Sequence, residues 1–123
     1  MTTRIEDEEY PIEHDMPSMV RGSDWIGFAF QIMEDDNVTP KNTTGYDAEM
    51  IITEEGWNAA APYATLTVGS GITHTASQGL FNFSIAKATI DTFDWRTAVY
   101  KINITDSGGG ITPYFMGRMF IKG

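Results

Sequence analysis

Residues 23–33 read SDWIGFAFQIM, the longest and most apolar run in the sequence. At a period of two, Ile26, Phe28, Phe30 and Ile32 share one face, and Trp25, Gly27, Ala29, Gln31 and Met33 take the other. That alternation marks a β-strand rather than a helix. The run is bounded by Met19-Val20-Arg21-Gly22 on one side and by the turn-rich Asp35-Asp36-Asn37-Val38-Thr39-Pro40 on the other. It is the first strand of a sheet, and the remaining pattern is organised around it.

Downstream, the same period recurs in short pieces. Residues 48–53 place Ala48, Met50 and Ile52 on one face, and residues 64–68 turn Leu66 and Val68 inward. Residues 72–74 form a short edge strand, and in 80–85 Phe81, Phe83 and Ile85 share a face. Residues 86–94 break the pattern and read as a connection across the end of a sandwich. Ala98, Tyr100, Ile102 and Ile104 then alternate with Thr97, Val99, Lys101 and Asn103, Gly108-Gly109-Gly110 makes a hairpin loop, and 114–121 is the last strand. Within it Gly117 sits among Phe115, Met119 and Ile121, where another backbone comes close. Short strands, turns every 8–12 residues or so and no sustained helical period predict an all-β fold. The expected form is an Ig-like antiparallel β-sandwich of about six to eight strands.

The chain has 123 residues, enough for one domain with one core. Residues 1–18 read as an acidic, extended N-terminal arm outside that core, and residues 19–123 as the sandwich. Glu6, Asp7, Glu8, Glu9, Glu13 and Asp15 crowd the arm, and Pro11 and Pro17 resist helix. One reading is a solvated terminus. The other is an arm that orders on a neighbouring subunit and adds to a sheet edge, with Ile5, Tyr10, Ile12 and Met16 filling pockets.

Charge narrows the function classes. With 17 acidic against 8 basic residues, the net charge is −9. Nucleic acid and anionic membranes both call for clustered Lys and Arg, so neither is an expected partner. The first nine residues lack the apolar stretch of a signal peptide, and no apolar run approaches the roughly 20 residues of a membrane span. There is no cysteine, hence no disulfide and no thiolate metal site.

No catalytic or metal constellation assembles from the residue types. His14 and His74 are the only histidines and lack ligand spacing, so they read as ordinary surface residues. Asp35-Asp36-Asn37 begins like a calcium loop but lacks the glycine and distal glutamate of that pattern. Such a turn forms because Asp and Asn bond their own backbone. Gly108-Gly109-Gly110 precedes no helix and is no phosphate loop. In Arg21-Gly22-Ser23-Asp24 the expected job is local, pinning the start of the first strand. Of the three tryptophans, Trp25 reads as core, Trp57 in its turn as a contact residue, and Trp95 as a cap on the sandwich or a contact.

Taken in order, these pieces resemble the small Ig-like sandwich domain of tailed-bacteriophage virion proteins, described best as the N-terminal domain of baseplate upper proteins. The signature is a step into the first strand (Arg21-Gly22-Ser23-Asp24-Trp25), a turn with proline (35–40), a polar step before Gly45 (Asn42-Thr43-Thr44) and Gly69-Ser70-Gly71-Ile72. Val99-Tyr100-Lys101-Ile102, the glycines at 108–110 and Gly117-Arg118-Met119-Phe120-Ile121 complete it. The match covers residues 19–123. It departs from the pattern at Ser23, which interrupts an Arg-Gly-Asp step, and at Thr43, which stands where leucine is usual.

The resemblance implies a non-enzymatic virion protein without cofactor or metal, located in the virion. Its partners would be other virion proteins and copies of itself, reached through the sandwich and the arm. Because the sequence ends with the last strand, it implies an adaptor or accessory piece of tail, baseplate or neck. The interface residues expected are Ile5, Tyr10, Ile12, Met16, Trp57 and Trp95. A capsid decoration (cement) protein is the nearest rival. A carbohydrate-binding module using Trp57 or Trp95 is a rival of another class, and an enzyme is the remotest.

Overall fold

The run at 23–33 is a strand, β4 (Trp25–Ile32), but its faces differ from simple alternation. Ile26 is 80% exposed, whereas Trp25, Phe28, Phe30 and Ile32 are all buried. The reason is a β-bulge. β4 pairs antiparallel with β8 (Leu80–Ile85) as Trp25 to Ile85 and Ile26 to Ser84, then jumps to Phe28 opposite Phe83. The residue passed over is Gly27, and one extra residue flips every side chain before it to the opposite face.

This computed structural model describes residues 2–5, 12–34, 36, 38–54 and 62–122. It is almost wholly β. The other strands are β1 (Thr2–Ile5), β2 (Ile12–Glu13), β3 (Met19–Val20), β5 (Asp47–Thr53), β6 (Ala64–Val68), β7 (Gly71–Thr75), β9 (Thr97–Thr105) and β10 (Ile111–Lys122). One four-residue helix, α1 (Lys87–Ile90), lies in the connection expected at 86–94. The seven strands read from the sequence are all present, as β4 to β10. The strand order is β1-β4-β8-β7-β6-β5-β9-β10-β2, with β3 also on β10. β7 is therefore no edge strand: it lies between β8 and β6.

The sheet curls until strands far apart in this order meet face to face, giving a sandwich-like fold. Phe115 of β10 packs on Phe28 and Phe30 of β4, with ring centroids 5.2 and 5.1 Å apart. Phe81 and Phe83 stack on Phe30 from β8. Met50, Ile52, Tyr100, Ile102 and Met119 complete a single core. Aromatic rings in this tilted and offset packing add to what their buried area already contributes.

Pairing is mixed rather than wholly antiparallel. The body pairs β4–β8, β8–β7, β6–β5, β5–β9 and β9–β10 are antiparallel. β6–β7 is parallel over two residue pairs, because the chain loops through Gly69, Ser70 and Gly71 and continues in the same direction. Both glycines have positive φ, and a Cβ on Gly71 would meet the Leu66 side chain at 2.7 Å. That loop ends the inward run of β6, so Val68 is 40% exposed where alternation expects it inside. The other parallel pairs, β1–β4, β2–β10 and β3–β10, all come from the N-terminal stretch.

Candidate functional site

The N-terminal stretch is where the chain departs most from its expected plan. Residues 12–21 run parallel to β10 as a continuous seam. Ile12 and Glu13 face Phe115 and Met116, and Met19 and Val20 face Ile121 and Lys122. Between them the His14 N–H donates to the Met116 carbonyl at 2.9 Å and the Met16 N–H to the Arg118 carbonyl at 3.0 Å. Arg21 closes the seam with a bond to the Lys122 carbonyl at 3.0 Å. The donating amides between the two short strands are at 14 and 16, so Pro17, which has no N–H, falls where the ladder needs none. Its carbonyl accepts the indole N–H of Trp25 at 3.0 Å.

Two residues key the seam. A Cβ on Gly117 would stand 2.2 Å from the His14 carbonyl oxygen, so only glycine lets the two backbones approach this closely. The same oxygen accepts the hydroxyl of Tyr100. Burial pushes that phenol well above its ordinary pKa, so it stays a donor across the usual pH range. The Asp15 carboxylate takes the Arg118 N–H at 3.1 Å. Met16 is 3% exposed and Met19 is fully buried, and Ile12 packs against the core. The core thus begins before residue 19. The expectation that residues 1–18 stand outside it is corrected for Ile12 and Met16, because the notch at Gly117 admits this segment to the sheet.

At the opposite end of the sheet, β1 covers the edge of β4, pairing Thr2 with Ala29 through to Ile5 with Ile32. One N-terminal stretch therefore lines both ends of the body sheet. Its covering of β10 supplies the protection that exposed edges need.

The step at residues 21–24 has a local job, as its reading expected. Arg21 donates to the Ile90 carbonyl at 3.3 Å, and the Gly22 N–H to Asp91 at 3.1 Å. Asp24 accepts the Lys87 N–H at 2.7 Å. That bond caps the first turn of α1, where the helix's own N-cap, Ala86, offers no side-chain acceptor. Lys87 and Asp91 add an exposed ion pair at 2.8 Å, which holds the lysine's pKa up and the aspartate's down. Asp36 closes an Asx turn on the N–H groups of Val38 and Thr39, and those bonds hold its carboxyl below the ordinary value.

Thr43 fills a fully buried position. Its hydroxyl meets His74 Nε2 at 2.7 Å and the Ala76 carbonyl at 3.3 Å. His74 lies flat on Phe81, centroids 4.3 Å apart. It is thus half-buried rather than an ordinary surface histidine. Burial lowers its pKa, against a smaller opposing pull from Asp47.

Trp95 caps one end of the core. It is 7% exposed, stacked on Tyr63 at 5.5 Å and in tilted contact with Phe93 at 5.0 Å between ring centroids. That burial removes it from any exposed aromatic platform. Ile5 ends β1. Tyr10 and Trp57 lie outside the described residues. A groove of about 540 Å³ crosses the outer face of β4, β8 and β7, bordered by Asp24, Ile26, Ala29, Thr73, Asn82 and Ser84. Of the six expected interface residues, the structure brings Ile12 and Met16 together along β10. Sequence reasoning missed Met19 as their companion, since the spacing 12, 16, 19 fits no strand period.

No family model matches the chain, and no curated protein matches it. Among solved structures it is similar to the N-terminal domain of phage TP901-1 ORF48, at 14% sequence identity over 100% of both chains and a TM-score of 0.49.

Proposed function

We propose that this chain is a structural protein of a tailed-bacteriophage virion, an adaptor or accessory component of tail, baseplate or neck with no catalytic role. The observation that carries this reading is the ordered signature from Arg21 to Ile121. Its first step works as a structural signature should, since the Arg21, Gly22 and Asp24 groups are spent on fastening β4 to α1. Thr43 departs from the pattern and is fully buried, its hydroxyl meeting His74. The protein would act by assembly. The curled sheet is a rigid body, and docking runs through its surface and the N-terminal stretch.

The test is quantitative mass spectrometry of purified particles of the encoding phage. The chain is expected in tail-bearing particles at a small fraction of the major capsid protein. A copy number matching the capsid protein would instead make it a decoration protein. Absence from particles would overturn the virion reading altogether.

A further inference from the structure

The curled sheet turns two faces outward, and they differ in chemistry. On β4, β8 and β7 the outward positions are mostly small or polar, among them Gln31, Thr73, Asn82 and Ser84, with Ile26 the exception. That is how a strand with one buried side ordinarily reads. On β5, β9 and β10 the outward positions include Ile51, Val99, Met116 and Phe120, four large apolar side chains that stay partly exposed. Register draws them together. One row runs Ile51, Lys101, Met116, Glu13 across β5, β9, β10 and β2, and the next sets Val99 between Thr53 and Arg118. A hollow of about 230 Å³ opens on this face beside Val99, Met116 and Gly117, with Glu13 and Asp15 at its rim. Charge sets the same face apart. Lys101, Arg118 and Lys122 stand on the two inner strands, and Glu13, Asp15 and Glu49 on the segments that flank them. Three bases thus offset three acids here, while the chain as a whole carries −9.

We propose that the outward face of β5, β9 and β10 is a self-complementary interface, and that its occupant is the same face of a second copy. A basic partner would meet Lys101 and Arg118 on the inner strands, and an acidic one would meet the flanking carboxylates. A copy carries both signs in matching places. Turned over about a two-fold axis, it sets inner bases toward flanking acids, and the symmetry repeats each such contact. Ile51, Val99, Met116 and Phe120 form the apolar centre that supplies the attraction, and the surrounding charges fix the register. An apolar cluster rimmed by polar residues is what such contact surfaces look like when free. The inference deepens the assembly reading above and rests on it for its purpose in a particle.

Sedimentation of the full chain over a range of concentrations tests this, at about 0.15 M ionic strength, where long-range repulsion is largely screened. The mass should rise from monomer to dimer. Backbone amide shifts that follow concentration should cluster at Ile51, Val99, Lys101, Met116 and Phe120. Ile51→Glu places a carboxylate in the apolar centre and should weaken the dimer about tenfold or more. Ser84→Glu, on the other outward face, should dimerise as the parent does. Circular dichroism checks that both variants fold, and the amide shifts, read on the parent, decide the question even where Ile51→Glu does not. A parent chain that stays monomeric overturns the proposal and leaves the face to a different virion protein. Shifts clustered on another face overturn it too, as does a folded Ile51→Glu chain that dimerises like the parent. Both readouts use isolated protein, so absence from virions would overturn the functional reading and leave this result untouched.

Discussion

An alanine at position 117 would drive its Cβ to 2.2 Å from the His14 carbonyl oxygen and 2.7 Å from its carbon, both backbone atoms with little room to move. Gly117→Ala should therefore lower stability by about 2 kcal/mol or more, the scale of overpacking. The loss should appear first as faster hydrogen exchange at the His14 and Met16 amides, which bond β10. An unchanged exchange rate there would mean that the seam does not depend on the notch. His74 makes a different residue-scale prediction. Its folded pKa is lowered by burial from 6.5, so the unfolded chain takes up the proton first as pH falls. Its contribution is complete above about pH 6.5 and is lost as pH drops from there towards the folded value. Asp36 and Asp91, also lowered, act in a separate window below 3.8, where they are protonated in the unfolded chain before the folded one. Chemical denaturation between pH 7 and 5 should thus show stability falling with pH. His74→Asn should flatten that fall, and a profile as steep as the parent's would assign it to another group.

At the scale of elements, the body strands were legible because each alternates against one core, and alternation is what a one-sided strand requires. Ala48, Met50 and Ile52, Phe81, Phe83 and Ile85, and Ala98, Tyr100, Ile102 and Ile104 all face inward as read. What escaped reading was set by events between strands. The Gly27 bulge inverts the phase of Trp25 and Ile26 within an unbroken apolar run, and either phase satisfies the sequence. β2 and β3 are two residues each and carry no period, and their place on β10 follows from a long-range notch. Of the candidate site, Gly117 as a point of close approach was legible from a glycine inside an aromatic strand, and Ile12 and Met16 from their apolar character alone. Met19 completes the set only once the chain is threaded past β10. Met16→Ala and Met19→Ala should each cost about 2–5 kcal/mol, as buried methionine truncations do. Urea midpoints read this directly. Values near zero for both would mean that the N-terminal segment does not contribute to the folded core, and a chain lacking it would then be expected to fold unchanged.

For the whole molecule, the governing quantity is the net charge of −9, carried by every copy alike. Copies that assemble with one another must bring like charges together, and Glu13 and Asp15 lie on the seam itself. Repulsion of this kind is screened by salt. The Debye length falls from about 30 Å at 0.01 M to about 8 Å at 0.15 M ionic strength. Self-association should therefore strengthen as salt rises over that range. Docking on a basic virion partner runs the other way, because complementary fields speed and hold the encounter only while unscreened. Light scattering of the full chain at both ionic strengths reads the first of these directly. A mass that grows with salt marks contact between copies. A mass that shrinks with salt would mean that the acidic surface is not what opposes assembly, and that some attractive pairing of opposite charges holds the copies.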